Sequence, residues 1–287
     1  MMLAQLLAAS GWRIGLIAIF FAGGFVLEAV APVVTVRVRD RVFNCGCGIL
    51  FQFADLLSAV CLGSVLSSLI MHPIIPIVLS DRHRGAFGIV LAFGWIATRD
   101  FLYYWFHRLQ HASRWLWAEH ALHHSDLHMN VTTAIRHHWL EAPLNALLVT
   151  IPFQLLFRPP TITFPAAYTV MYFSGYLIHC NVKLSLGPFG KVFVSPDNHR
   201  IHHSRQPEHL DKNFAQFCPI WDVMFGTYYA PRPGEYPQAG LLSGETVTSL
   251  RRAVVMPFQS WQQMLSEAWA RRSSRAAYIK EQTPDSG

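Results

Sequence analysis

Residues 86–111 read AFGIVLAFGWIATRDFLYYWFHRLQH, an apolar run that closes on two histidines four residues apart. A bilayer core of about 30 Å takes roughly 20 helical residues to cross, and Ala86 to Phe106 supply them. Residues at i and i+4 share a helix face, so one helix would cross the bilayer and present His107 and His111 together at its end. The fold class this predicts is all-α, a polytopic membrane protein.

The rest of the chain reads the same way. Of 287 residues 52% are hydrophobic and 14% charged, too apolar a balance for a soluble globule of this size. Runs at 12–34 and 48–71 are also long enough to span. Runs at 143–157 and 161–181, separated by Arg158, Pro159 and Pro160, read as a helical hairpin whose first arm is short enough to be re-entrant or tilted. Residues 1–30 lack the basic start and small-residue cleavage site of a signal peptide. The five cysteines are odd in number and lie mostly in or beside apolar runs, which does not suit a disulfide framework.

Lys and Arg are frequent from 183 to 280, where no spanning run occurs. The positive-inside rule then places this part in the cytoplasm and the N-terminus outside after three crossings. The net charge of +6 reads as attraction to an anionic lipid surface; no basic stripe alternates with aromatics as nucleic acid would require. Three regions are expected: an N-terminal transmembrane region at 1–85, a histidine-bearing catalytic region at 86–235, and a cytoplasmic tail at 236–287. The tail contains SWQQMLSEAWARRSSRAAYIKEQ, an amphipathic stretch suited to a membrane surface or to a solvated terminal helix.

The 15 histidines are concentrated in three clusters. After His107 and His111 come His120, His123 and His124, then His199, His202 and His203, the last two sets with the same spacing. His138 and His179 extend the pool to ten imidazoles, enough for two metal ions. Packed imidazoles are costly to bury unless a metal or a hydrogen-bond network holds them. His72, His83, His128 and His209 have no partner at helical spacing and read as ordinary core or interface residues.

Imidazole alone does not choose among zinc, copper, iron and nickel. A closed structural zinc site needs four ligands, and a hydrolytic two-zinc site normally takes bridging carboxylates, which are sparse inside these clusters. Glu119, Asp126 and Asp197 adjoin them and read as acceptors that fix histidine tautomers. Two irons beside a membrane suit oxygen activation against an unactivated lipid C–H bond, chemistry that a redox-inert metal cannot supply. Electrons would come from an external donor protein, because no G-x-G-x-x-G fingerprint occurs.

At these residues the chain resembles the fatty acid hydroxylase / sterol desaturase superfamily, whose signature is HxxxH, HxxHH, HxxHH. Asp100, Tyr104, Trp105 and Arg108 fit its first block, Ser125, Asp126, Asn130, Arg136, His138 and Glu141 its second. His179-Cys180-Asn181-Val182, the run from Ser195 to Ser204, Asn213-Phe214-Ala215 and 221–227 resemble its later elements. The resemblance covers about 95–230. It implies metal ligation by His107, His111, His120, His123, His124, His199, His202 and His203, completed by His179 and His138. It also implies catalytic parts for Asp100, Asn130, Asn181 and Asp197. The implied architecture is a cytoplasmic helical cap holding two non-haem irons above the bilayer, with a lipid entering from the membrane to be hydroxylated or desaturated. Competing readings are a zinc-dependent membrane hydrolase and a non-enzymatic metal-binding or transport protein. The latter calls for a pathway of ionisable residues within the spans, and Glu28, Asp55, Arg99 and Asp100 form none in the sequence.

Overall fold

The computed structural model describes Gly15 and residues 18–70, 86–156 and 165–282. Among these the secondary structure is helical, with no strand beyond a single bridge between Ser204 and Ala239. The helices are α1 (Ala18–Val30), α2 (Val38–Ile70), α3 (Ala86–Ala112), α4 (Arg114–His124), α5 (Glu141–Leu156), α6 (Pro165–Leu177), α7 (Pro196–His202), α8 (Ile220–Met224) and α9 (Leu250–Gln282).

Several bounds depart from the sequence expectation. α2 starts ten residues ahead of the expected run, because Asp40 sits in its first turn and pairs with Arg37 at 2.9 Å. Negative charge is favourable at a helix N-terminus. α5 is interrupted by a π turn at Ala146–Thr150, next to Pro152, which has no N–H to donate. α6 ends at Leu177, so His179 lies in the turn that follows rather than on the helix. The expected hairpin turn at Arg158-Pro159-Pro160 lies outside the described residues.

Among the described residues, the Val38–Leu62 part of α2 is the one helix long and apolar enough to cross a membrane; α1 and α5 are shorter apolar helices. Val42, Ile49, Phe53, Leu57 and Val60 all face outward on α2. Arg99, Asp100 and the histidines make α3 more polar than its first half suggests.

What lies inside is unusual. Apolar clusters flank the centre: Trp95, Ile96, Phe153, Met171 and Phe217 on one side, Phe43, Cys47, Leu122 and Val247 on another. Between them is a buried polar layer that includes His107, His120, His123, His124, His199, His202 and His203. α1 and α2 are tied into it. Buried Glu28 accepts from the backbone N–H of Val131 and Asn181 at 2.6 and 2.9 Å and pairs with Arg41 at 2.7 Å. Both helices run so close to the turn at 131–135 that a Cβ on Gly24 would meet Val131 at 2.4 Å and one on Gly48 would meet Ile135 at 2.5 Å. The five cysteines form no disulfide among the described residues.

Candidate metal centre

The three histidine clusters meet. α3 and α4 pack against each other across the break at Ser113, and α7 brings the third cluster against both. His107 and His111 face His120 and His124, with Nε2–Nε2 separations of 3.1 and 3.2 Å, and His202 completes a group of five. His123, His179, His199 and His203 form a second group of four, with Nε2–Nε2 separations of 3.3 Å (His123–His179), 3.0 Å (His179–His199) and 3.2 Å (His199–His203). Within each group the ligand atoms lie within 4.8 Å of one another.

The HxxHH spacing explains the division. At 100° per residue, the first and last histidines stand on one helix face and the middle one about 60° aside. α4 gives its outer pair, His120 and His124, to the group of five and His123 to the other; α7 reverses this, giving His199 and His203 to the group of four and His202 to the five.

The tautomers decide what the groups can hold. His107 Nδ1 donates to the carbonyl of Phe214 at 2.7 Å, His202 Nδ1 to Lys212 at 2.8 Å and His179 Nδ1 to Gly175 at 2.6 Å. His111 Nδ1 faces Asp211 at 3.3 Å and His120 Nδ1 faces Glu141 at 3.5 Å. These oxygens only accept, so in each neutral ring the proton is on Nδ1 and Nε2 carries a bare lone pair. The Nε2 atoms of His107 and His120 thus oppose two lone pairs at 3.1 Å, which repel unless a cation lies between them. Buried His202 Nε2 has no hydrogen-bond partner among the described residues. Two nitrogens about 2.1 Å from one ion stand about 3.0–3.4 Å apart for right-angle to tetrahedral geometry, the spacing found here. The donor set fits metal ions, and imidazole suits iron.

Burial keeps these rings neutral. Desolvation, reinforced by the neighbouring imidazoles, holds His107, His123, His124, His199, His202 and His203 well below the usual histidine range. His111 is pushed down to about 4 by burial despite the opposing pull of Asp211. Neutral imidazole is the form that ligates.

Other residues named from the sequence lie around the groups. His138 stands apart: its Nε2 donates to the carbonyl of Val254 at 3.2 Å and its Nδ1 accepts from Leu140 N–H at 3.3 Å. The ring of His137 lies by the centre instead, stacked on His123 with centroids 4.3 Å apart and bonded to Glu141 at 2.9 Å. Glu119 bonds to Gln110, and Asp126 to Asn44 and Thr133, so neither fixes a cluster tautomer; backbone carbonyls, Glu141 and Asp211 do that. Glu141 stays ionised against the cost of burial because His137 and His120 adjoin it.

Asp100, Asn130, Asn181 and Asp197, expected in catalytic parts, turn their polar atoms to the scaffold. Asp100 accepts from the N–H groups of Phe217 and Cys218 at 3.0 and 2.8 Å. Asn130 caps the turn at 131–135, Asn181 grips the backbone of Val34, and Asp197 accepts from Leu184 N–H at 3.1 Å. They position the histidine-bearing segments. Arg136 does so most fully, donating to the carbonyls of Leu122 and Val247, to Ser125 Oγ and to Asn44. It neutralises the end of α4, where His123 and His124 sit.

One loop was not foreseeable as a second layer. Asp211 and Asn213 have φ of 57° and 56°, the left-handed region that non-glycine residues other than Asn and Asp seldom adopt. They bracket Lys212 and precede Phe214, whose carbonyls orient His202 and His107. The presence of Asp and Asn at these two positions is the only sequence signal for that turn.

A cavity of about 380 Å³ reaches the centre, with His107, His123, His179 and His199 in its wall and helices α2, α3, α5 and α6 around it. These features define a helical protein with two adjacent groups of histidines, each able to hold a metal ion, beside a cavity.

Comparison with known proteins then places the chain. A family model described as fatty acid hydroxylase matches residues 89–227, just under half of the chain, so this segment is similar to that family. It is 36% identical over 147 residues to an alkylglycerol monooxygenase of Caenorhabditis elegans, an alignment covering 51% of this chain and 28% of that protein. The alkylglycerol monooxygenase of Homo sapiens is 36% identical over 131 residues, 46% of this chain and 29% of its own length. Ornithine lipid hydroxylase OlsE of Rhizobium tropici is 33% identical over 179 residues, 62% of this chain and 52% of its own. The chain thus spans between about a quarter and a half of the length of these relatives. No solved structure matches the chain significantly.

Proposed function

We propose that the protein is a membrane-bound, O2-dependent oxidoreductase with two non-haem iron ions that hydroxylates or desaturates a C–H bond of a lipid. One observation carries this reading: two adjacent groups of buried histidines converge beside one cavity, with Nε2 free of hydrogen on the rings whose Nδ1 donates to an oxygen. His107, His111, His120, His124 and His202 would hold one ion, and His123, His179, His199 and His203 the other. When bound, the iron pair supplies the redox chemistry that activates O2, which a redox-inert metal does not.

The chain's own residues do the rest. The carbonyls of Phe214, Lys212 and Gly175 hold three rings in one tautomer and orientation. Glu141, ionised and bonded to His137 in the cavity wall, holds a proton acceptor beside His120. Met171, packed with Trp95 and Phe153 in an apolar cluster, lines one side of the cavity. The relatives' names, monooxygenase and lipid hydroxylase, support lipid oxidation as the class of reaction.

The outward apolar face of α2 supports membrane residence. The charge distribution favours several crossings with the centre and C-terminus cytoplasmic, and electrons from an external donor protein. The test is comparative lipid mass spectrometry of cells expressing the wild type or His202→Ala, grown with oxygen. A lipid that gains one oxygen or loses two hydrogens only with the wild type is the expected result. No difference across lipid classes in the native host would sink the reading.

A further inference from the structure

Among the described residues, four Asp, Glu, Lys or Arg side chains fall within the expected membrane spans: Glu28, Asp55, Arg99 and Asp100. Charge at that depth is expensive and is kept where structure or function uses it. Two of the four are consumed by the scaffold. Glu28 accepts from Val131 and Asn181 N–H and pairs with Arg41, and Asp100 accepts from Phe217 and Cys218 N–H. Asp55 on α2, which has a partner of its own, and Arg99 on α3 both line the cavity that reaches the histidines.

Arg99, Tyr103 and His107 follow one another at i, i+4 and i+8, all in the cavity wall. They form one stripe on α3, with Arg99 about 12 Å along the helix axis from His107 by the rise of 1.5 Å per residue. The polar contact recorded for the guanidinium among the described residues is Nη1 with Met171 Sδ at 3.8 Å, a weak acceptor. A guanidinium stays charged in any protein setting and offers five N–H donors matched to a planar or tetrahedral oxyanion. The same wall carries Gln52, Ser58 and Gln154, more hydrogen-bonding capacity than a bare hydrocarbon slot would use.

We propose that Arg99 anchors the acidic group, a carboxylate or a phosphate ester, of an amphiphilic substrate in this cavity. This rests on the oxygenase reading of the centre. The acidic head sits at Arg99 and the chain runs along Tyr103 toward His107, so the reacting carbon lies several bonds from the acid rather than next to it. Arg99 is then a specificity residue for substrates that carry an anion.

The test is binding to the purified full chain in neutral detergent, at alkaline pH so that fatty acids are ionised, using radiolabelled oleate, oleoyl lysophosphatidate and oleyl alcohol. Wild type is expected to hold at least one of the two anions about tenfold or more tighter than the alcohol, as a charge-assisted hydrogen bond in a sheltered site allows. Whichever anion is preferred identifies the carboxylate or phosphate source. Arg99→Gln should abolish the preference while leaving alcohol binding within about twofold, and Arg99→Lys should retain part of it. Equal binding of all three probes by wild type, or an unchanged preference in Arg99→Gln, overturns the assignment. The wild-type comparison stands even where a variant fails to fold. Anion preference with no oxidised lipid in the cellular comparison would remove the oxygenase reading and leave the subsite. Oxidation without anion preference would remove the subsite alone.

Discussion

At the scale of single residues, the centre is a matter of which nitrogen carries the proton. Nine of the ten histidines expected as ligands are brought together, and His138 is not. The difference between His137 and His138 is one of register. The chain leaves the turn at 131–135 in an irregular stretch where neighbouring side chains diverge, and the packing of α9 onto this segment, through the carbonyl of Val254, claims His138. The two positions separate experimentally. His123→Ala should lose bound iron and activity, whereas His138→Ala should keep its metal and lose about 1–2 kcal/mol of stability with its buried hydrogen bond. Metal analysis and thermal unfolding of the purified variants check this; loss of iron on His138→Ala would return that ring to the ligand set.

At the scale of elements, one short helix with a built N-terminus carries the third histidine cluster. α7 has seven residues, and its start is built by a capping box in which Ser195 accepts from Asn198 N–H at 3.1 Å, with Pro196 in the first turn. Three ligands therefore depend on an element too short to hold itself together. Ser195→Ala should cost about 1 kcal/mol, read as a lower Tm, and should weaken metal retention because His199, His202 and His203 lose their common support. An unchanged Tm and unchanged metal retention would show that α7 is held by its neighbours alone. The helical spacing of its histidines was legible in the sequence. The π turn of α5 and the early start of α2 were not, since apolar runs mark where a helix is buried in an apolar medium and not where its backbone begins or bulges.

At the scale of the whole molecule, a core of neutral imidazoles couples folding to pH. His111 titrates at about 4 in the folded protein against an ordinary 6.5, and the other buried rings are also displaced downward by desolvation. A depressed histidine means that the unfolded chain takes up protons first as pH falls. The contribution to stability is therefore complete above about pH 6.5 and is lost progressively below it, down to about 4 for His111 and further for the rest. Each such ring changes stability by about 1.4 kcal/mol per pH unit within its window. The Tm of the metal-free protein should be flat above neutrality and fall below pH 6.5 with the slope of several protons. A slope of one proton would mean that a single ring is displaced on folding, and no slope that the rings titrate independently of it. Added metal should raise Tm, since binding to the folded state alone stabilises it.

Sequence by itself determined the helical class and which histidines share a helix face, because spacing on a helix is local: i, i+3 and i+4 name a face without reference to anything else. Tertiary structure alone decided how the nine rings divide into five and four, that His137 and not His138 adjoins them, and that carbonyls of a left-handed loop set the tautomers. It also decided that Asp55 and Arg99, 44 residues apart in the chain, share one cavity. Those outcomes depend on distances between elements far apart in sequence, which are set by packing and by the closure of buried hydrogen bonds.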